Sequence, residues 1–174
     1  MVSRVVVKGS IEDVWREITK TDEPQQAIFN ARMHRLGLAP GSPIRMRTPD
    51  NRYTSVVGEI LEADPPRKLS HTMKFTAYDE PWCKVTYELR ETPEGVEFTL
   101  TSEDVVPGTK TAKDMERGGP FIVGTLKAVV ENGRPPLGTR LLYALFGLIG
   151  PLLTPKTCRS EHWPLEEPAR GGRS

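Results

Sequence analysis

The chain has 174 residues, of which 37% are hydrophobic and 27% are charged. Its 24 basic and 23 acidic side chains nearly balance, so the formal net charge at pH 7 is +1. This balance excludes the excess of positive charge that is typical of nucleic-acid-binding proteins, and we expect no nucleic-acid partner. The length favours one domain that is large enough to bury a substantial core.

The two cysteines, Cys83 and Cys158, lie far apart and form neither a disulfide framework nor a metal motif. Cys158 and His162 are four residues apart, but no second cluster completes a zinc site. The apolar run near the N-terminus is too short for a signal peptide. The sequence has no glycine-rich phosphate loop and no nucleophile motif. We therefore expect no metal, no cofactor and a cytoplasmic location.

The first 43 residues predict one strand and two short helices. Residues 5–7 form a β-branched run that is typical of a strand. Ser10 precedes one apolar helical face, which comprises Ile11, Val14, Trp15 and Ile18. Pro24 follows an acidic stretch and predicts the first turn of a second short helix, which the proline-rich residues 38–43 end.

Residues 44 to 103 predict an antiparallel sheet with one dry and one wet face, because apolar and polar side chains alternate. The alternation is clear at residues 68–75, 83–90 and 96–101. It places His71 on the dry face and places Arg45 and Arg47 on the wet face. Residues 53–63 form one long predicted strand whose two faces are both partly apolar, so the direction of Glu59 stays open.

A long helix follows the predicted sheet. Gly118–Pro120 breaks the chain and puts proline at the first helical position, and Asn132–Gly133 supplies the stop. This helix is the element that covers the dry face of the sheet, so residues 1–133 form the predicted domain.

Residues 141–153 form the most apolar stretch of the chain. The stretch is shorter than the roughly 20 residues that span a bilayer, and it lacks the polar face of an interfacial helix. Residues 134–165 are therefore predicted to be an apolar helical extension that packs on its own domain or on a second copy through Leu141–Leu153. A membrane partner is disfavoured, and residues 166–174 form a predicted disordered tail.

Several segments resemble one protein family in order along residues 1–133. These are Val14–Trp15, GEILEADPPRKL (58–69), KVTYEL (84–89), VEFTLTSEDV (96–105) and GGPFIVGTLKAVVENG (118–133). They are similar to segments of the activators of the heat-shock-protein-90 ATPase, a family within the START-like (SRPBCC) superfamily. The sequence departs from that family at Gly119, where many members carry Trp.

The resemblance implies an α+β helix-grip (Bet v-like) fold, in which a curved antiparallel sheet wraps around the long helix. It also implies an apolar cavity for a small lipophilic molecule, although a closed core is the alternative. Some superfamily members are cyclases, aromatases or dehydratases. Some eukaryotic family members act on the chaperone, but they carry an additional domain.

The residues predicted to line the cavity are mostly apolar. They are Met46, Leu69, His71, Met73, Phe75, Tyr87, Phe98, Phe121, Ile122 and Thr125. His71 on the dry face is a candidate for hydrogen bonding to a ligand or for acid–base chemistry. Its alternative is a core histidine that a backbone carbonyl or Tyr87 satisfies. Glu59 is a candidate base if it faces the cavity and a surface charge if it does not.

Three hypotheses about function follow. The first is a carrier or sensor of a small lipophilic molecule, with His71 and Tyr87 as polar contacts. The second is a cyclase-, aromatase- or dehydratase-like enzyme in which His71 is the acid and base and Glu59 or Tyr87 assists. The third is a protein-interaction module, either a chaperone partner or a dimer through Leu141–Leu153.

Overall fold

A computed structural model describes residues 1–165 of the chain, and the predicted tail at 166–174 lies outside the described residues. The strands are β1 (Val2–Val7), β2 (Arg32–Arg35), β3 (Pro43–Arg47), β4 (Thr54–Asp64), β5 (Lys68–Phe75), β6 (Cys83–Thr92) and β7 (Gly95–Glu103). The helices are α1 (Ile11–Thr19), α2 (Lys110–Asn132) and α3 (Leu137–Leu153), followed by short 3₁₀ turns at Lys156–Cys158 and Ser160–His162.

The seven strands form one antiparallel sheet in the order β1-β7-β6-β5-β4-β3-β2. The long helix α2 packs against β1, β7 and α1. Leu126 of α2 and Phe98 of β7 are completely buried in the single core cluster. This arrangement confirms the predicted α+β helix-grip fold.

Helix α1 begins where the sequence predicts. The backbone N–H of Asp13 donates to the Ser10 side-chain oxygen at 3.1 Å, which satisfies one of the free donors of the first turn. The buried face carries Val14 and Ile18, which are both fully enclosed.

The second short helix that the sequence predicts after α1 is absent, and this prediction was wrong. Residues 26–30 form turns, which a bridge between Gln25 and Ala31 closes. Phe29 and Asn30 adopt the left-handed conformation, with φ of 52° and 55°, and two such residues cannot continue a right-handed helix. The turn is instead held by tertiary bonds, because the Ala27 N–H donates to Glu17 at 2.9 Å.

Helix α2 begins at Lys110, ten residues before the predicted start at Pro120, so this prediction was also wrong. Thr109 caps it by accepting from the Ala112 N–H at 3.0 Å. The glycines before Pro120 serve packing and do not break the helix. A Cβ atom at Gly119 would lie 2.5 Å from the Ser3 hydroxyl oxygen of β1. The helix ends as predicted, at Gly133 with φ of 72°.

Helix α3 exists as predicted, but none of its residues is buried. Six of its leucines are between 48% and 85% exposed, namely Leu137, Leu141, Leu145, Leu148, Leu152 and Leu153. Among residues 1–165, no single helix has the length and apolarity to cross a membrane. Helices α2 and α3 meet that criterion only as a pair that bends by 112°.

The chain after α3 covers the outer side of β3 and β4. The Arg45 guanidinium donates to the Pro164 carbonyl at 3.2 Å, and that of Arg47 donates to the Trp163 carbonyl at 3.0 Å. Arg45 is therefore buried and Arg47 is half-buried, which corrects the prediction that both lie on a wet face. Val57, which pairs with Arg45 across the two strands, is buried as well.

Two glycine-to-alanine substitutions should affect stability in opposite directions. A Cβ atom at Gly58 would lie 2.0 Å from the Thr72 carbonyl oxygen, so Gly58→Ala must push β4 away from β5. We expect it to lower the free energy of unfolding by at least about 2 kcal/mol. A Cβ atom at Gly124 meets no atom within 4 Å, and Gly124→Ala should raise the same quantity by about 0.5–1 kcal/mol.

Chemical denaturation followed by circular dichroism measures both effects. If Gly58→Ala unfolds at the same denaturant concentration as the natural protein, β4 and β5 do not approach each other as closely at Gly58 as described.

Candidate functional site

A small pocket of about 100 Å³ lies between α2 and the inner face of the sheet. Its lining is mostly apolar and comes from strands β2 to β7, from the turn after α1 and from the first half of α2. The lining residues are Ile28, Phe29, Met33, Met46, Val56, His71, Met73, Phe75, Val85, Tyr87, Leu100, Ser102, Asp114, Met115, Gly118, Gly119 and Ile122.

The structure brings six of the ten predicted lining residues to this pocket. These are Met46, His71, Met73, Phe75, Tyr87 and Ile122. Leu69 and Phe98 are completely buried elsewhere in the core, and Thr125 is buried outside the lining. Phe121 is half-buried and stacks on Phe29 instead.

The prediction missed the turn after α1, the first half of α2 and four strand residues, Val56, Val85, Leu100 and Ser102. The first two omissions follow from the incorrect helix boundaries. Met115, Gly118 and Ile122 are spaced three and four residues apart, as residues on one face of a helix are. This spacing indicates that the helix begins before Pro120. Phe29 had no such signal, because its position depends on the tertiary bonds that hold the turn.

His71 is buried in β5, and its orientation is fixed by one hydrogen bond. Its Nδ1 lies 2.8 Å from the carbonyl oxygen of Thr72. Because a carbonyl only accepts, Nδ1 carries the hydrogen and Nε2 is an acceptor. Burial lowers the pKa of His71 below its ordinary value, although the bond to Thr72 opposes this. The imidazole is therefore neutral at pH 7.

Tyr87 of β6 lies beside His71, with 5.7 Å between the ring centroids. Burial raises the pKa of its hydroxyl above the ordinary range, so the hydroxyl stays neutral. Within residues 1–165, neither the Tyr87 hydroxyl nor His71 Nε2 has a hydrogen-bond partner. Neither atom is completely enclosed by protein, and both residues line the pocket. Both residues can therefore contact a molecule inside it.

The remaining candidate groups lie outside this pair. Glu59 is exposed and is absent from the pocket lining, which corrects its candidacy as a cavity base. Asp114 at the edge of the pocket accepts a hydrogen bond from the Tyr78 hydroxyl at 2.8 Å, which helps to raise the pKa of Tyr78 to about 12. The described residues contain no group of three His, Cys, Asp or Glu side chains that could hold a metal ion.

Phe29 separates this pocket from a larger cleft of about 380 Å³, because its ring lines both spaces. The ring stacks on Phe121 with 4.7 Å between centroids, and it reaches to within 3.6 Å of where a Gly118 Cβ would lie. Phe29 is nevertheless 45% exposed. One partly exposed ring thus forms the wall between the two spaces.

The larger cleft lies between the turn at 26–30, the β3–β4 hairpin and α3. Its lining includes Arg47, Asp50, Tyr53 and Phe146. Helix α3 is held over the cleft by the Tyr143 hydroxyl, which donates to the Gln26 carbonyl at 2.8 Å. Local sequence patterns do not indicate this cleft, because it forms between segments that are far apart along the chain.

The buried His71 should make stability depend on pH. Its pKa is lowered on folding, so the unfolded chain binds a proton that the folded chain excludes. The contribution of His71 is complete above the unfolded pKa of 6.5 and is lost as the pH falls below it. We expect the free energy of unfolding to fall by up to about 1.4 kcal/mol per pH unit from this group.

Urea denaturation at pH 7, 6 and 5 tests this, with His71→Asn as the comparison. The Asn variant should show a shallower pH dependence, since all other titrating groups are shared. Parallel curves for the two proteins would contradict the assignment. Among the other pocket groups, Tyr87 does not titrate in this range and Asp114 is common to both proteins.

Solved structures share this fold at low sequence identity. Protein MLL2253 from Mesorhizobium loti is 20% identical over 74% of this chain and 94% of that chain, with a TM-score of 0.61. CalU16 from Micromonospora echinospora is 18% identical over 87% and 86%, with a TM-score of 0.58. The Aha1 dimer from Colwellia psychrerythraea is 16% identical over 76% and 96%, with a TM-score of 0.60. At these identities the likeness shows the fold alone.

The comparison with curated proteins gave no match. The family model for Activator of Hsp90 ATPase homolog 1-like protein matches residues 8–131. That range contains all the strands that line the pocket, the turn at 26–30 and nearly all of α2. The chain therefore belongs to the Activator of Hsp90 ATPase homolog 1-like family.

Proposed function

We propose that this chain binds a small lipophilic molecule in the pocket between α2 and the sheet, as a carrier or sensor. The observation that carries the proposal is a pair of polar atoms on a mostly apolar wall, His71 Nε2 and the Tyr87 hydroxyl, which have no hydrogen-bond partner within residues 1–165. Buried polar groups in proteins nearly always have a partner. A ligand supplies that partner here, which favours an open cavity over a closed core.

Binding is favoured over catalysis by the composition of the pocket. Acid–base catalysis of the cyclase or dehydratase kind needs a proton acceptor and usually a second titrating group in reach of the same substrate. His71 is neutral and can accept a proton, but Tyr87 holds its own proton and Glu59 lies outside the pocket. Asp114, the carboxylate at the edge of the pocket, is bonded to Tyr78. Neither residue that the second hypothesis names as assisting His71, Glu59 or Tyr87, supplies a second titrating group in the pocket.

The volume of the pocket limits the ligand. An apolar cavity of about 150 Å³ holds benzene, and ordinary ligand sites measure about 300–1,000 Å³. A pocket of about 100 Å³ is smaller than that cavity, so without rearrangement it admits a molecule of one ring at most. A larger ligand requires Phe29 to swing aside and join the pocket to the cleft of about 380 Å³.

Filling the pocket should abolish uptake of a one-ring probe. Ile122 is half-buried on the helix side of the lining, so the indole of Ile122→Trp has room to enter the pocket. We expect the affinity for toluene, measured by an NMR titration, to fall at least tenfold. Native mass spectrometry of the freshly purified protein would also detect any retained molecule.

The matched control is Gly124→Trp, which adds the same side chain to the exposed face of the same helix. It should bind toluene as the natural protein does. If Ile122→Trp also binds toluene unchanged, or if the natural protein does not bind it at all, the pocket is not the site.

The exposed leucines of α3 favour a second role, self-association into a homodimer. Leu141 and Leu148 are seven residues apart, and so are Leu145 and Leu152, which is the repeat of a helix–helix seam. A contiguous apolar surface of this kind marks an interaction site. The helix has no polar face, which disfavours a membrane surface as its partner. The Aha1 dimer from Colwellia psychrerythraea has the same fold.

A charge on this surface should separate the protomers. We expect Leu148→Glu to shift the protein from dimer to monomer in light scattering at micromolar concentration. Leu36→Glu, the same change at an exposed leucine outside α3, is the control and should leave the mass unchanged. A natural protein that is monomeric throughout would contradict self-association and leave a different protein, such as a chaperone, as the partner of α3.

A further inference from the structure

We infer that the ligand of the inner pocket carries a hydroxyl group, which donates to His71 Nε2 and accepts from the Tyr87 hydroxyl. This inference rests on the proposed function and names the chemical class of the molecule. It depends on which atoms face the pocket and on which of them donate or accept.

The tautomer of His71 determines the first of the two hydrogen bonds that the ligand must make. The Thr72 carbonyl holds the hydrogen on Nδ1 at a distance of 2.8 Å, so Nε2 presents a lone pair. The carbonyl lies in the β4–β5 pair, where it approaches Gly58 so closely that no side chain fits between them. The ring therefore cannot exchange its tautomer without losing a bond in a crowded part of the sheet. The pocket accordingly offers an acceptor and needs a donor.

The Tyr87 hydroxyl determines the second hydrogen bond. Its hydroxyl can donate, and it has no acceptor within the described part of the chain. The two rings are tilted by 59° with 5.7 Å between their centroids and line the same pocket, so we place the ligand hydroxyl between them. His71 and Tyr87 are 5% and 6% exposed, which shields both bonds from competing water.

Other ligand groups match this pair less well. A carboxylate would place a negative charge in an apolar pocket and face the lone pair of Nε2. A ketone or an ether can accept from Tyr87 but leaves Nε2 without a donor. A protonated amine can donate to Nε2, but it has no lone pair that accepts from the Tyr87 hydroxyl. A neutral hydroxyl satisfies both atoms at once.

The volume limits the molecule that carries this hydroxyl to about the size of phenol. Phenol and toluene differ by a hydroxyl in place of a methyl group, so they fill the pocket equally. Their affinity ratio therefore reports the hydrogen bonds and not the apolar contact. Anisole adds a third comparison, because its oxygen accepts but cannot donate.

The experiment measures the dissociation constants of phenol, toluene and anisole by NMR titration for three proteins: the natural chain, Tyr87→Phe and His71→Asn. Tyr87→Phe removes one oxygen and keeps the ring. His71→Asn keeps an amide N–H near the position of Nδ1 and removes the Nε2 acceptor. Thermal unfolding of each variant verifies that it is folded.

We expect the ratio of phenol to toluene affinity to fall about fivefold or more in each variant. Phenol should also bind more tightly than anisole to the natural protein, and this preference should disappear in His71→Asn. If toluene binds and the phenol-to-toluene ratio is the same in all three proteins, the hydroxyl assignment is wrong while the proposed function stands. If neither probe binds the natural protein, the proposed function fails and the assignment fails with it.

Discussion

Closure of the pocket depends on the buried carboxylate of Glu17. It lies 2.7 Å from the Lys20 amine and accepts a hydrogen bond from the Ala27 N–H at 2.9 Å. A buried charge that loses its partner costs several kcal/mol, so α1 dictates how the chain after it must turn. The turn brings Phe29 against α2 and builds the wall of the pocket. A contact on α1 thus determines what can reach His71.

The pocket exists because α2 approaches the two sides of the sheet unequally. At β1 the helix lies so close that Gly119 leaves no room for a side chain beside Ser3. The pocket opens over β2 to β7, where Ser102 and Gly118 are too small to fill the space. A larger residue at the position of Gly119 would displace the Ser3 side chain, so this glycine allows the close approach of α2 to β1.

Much of the site follows from the two-residue period of β5, which points His71 and its neighbours inward. Periodicity does not predict the structure where contacts between segments distant in the sequence determine it. Gly118–Pro120 has the composition of a helix break, yet the glycines serve close packing within α2. The turn that carries Phe29 is held by the hydrogen bond to Glu17. Arg45 is buried because it donates to the carbonyl of Pro164, which lies 119 residues away along the chain. Periodicity reports which face is apolar, but not what will cover the other face.

The same turn also connects the pocket to α3. Gln26 accepts from the Tyr143 hydroxyl, and Phe121 packs between Phe29 and Tyr143, with its centroid 6.3 Å from that of Tyr143. Any movement of Phe29 that admits a ligand therefore disturbs the contacts that hold α3 over the cleft. Because coupling between two binding events is reciprocal, a partner that held α3 in place would change the affinity for the proposed ligand, and the ligand would change the affinity for that partner by the same factor. The carrier and the interaction-module hypotheses are therefore linked through this turn.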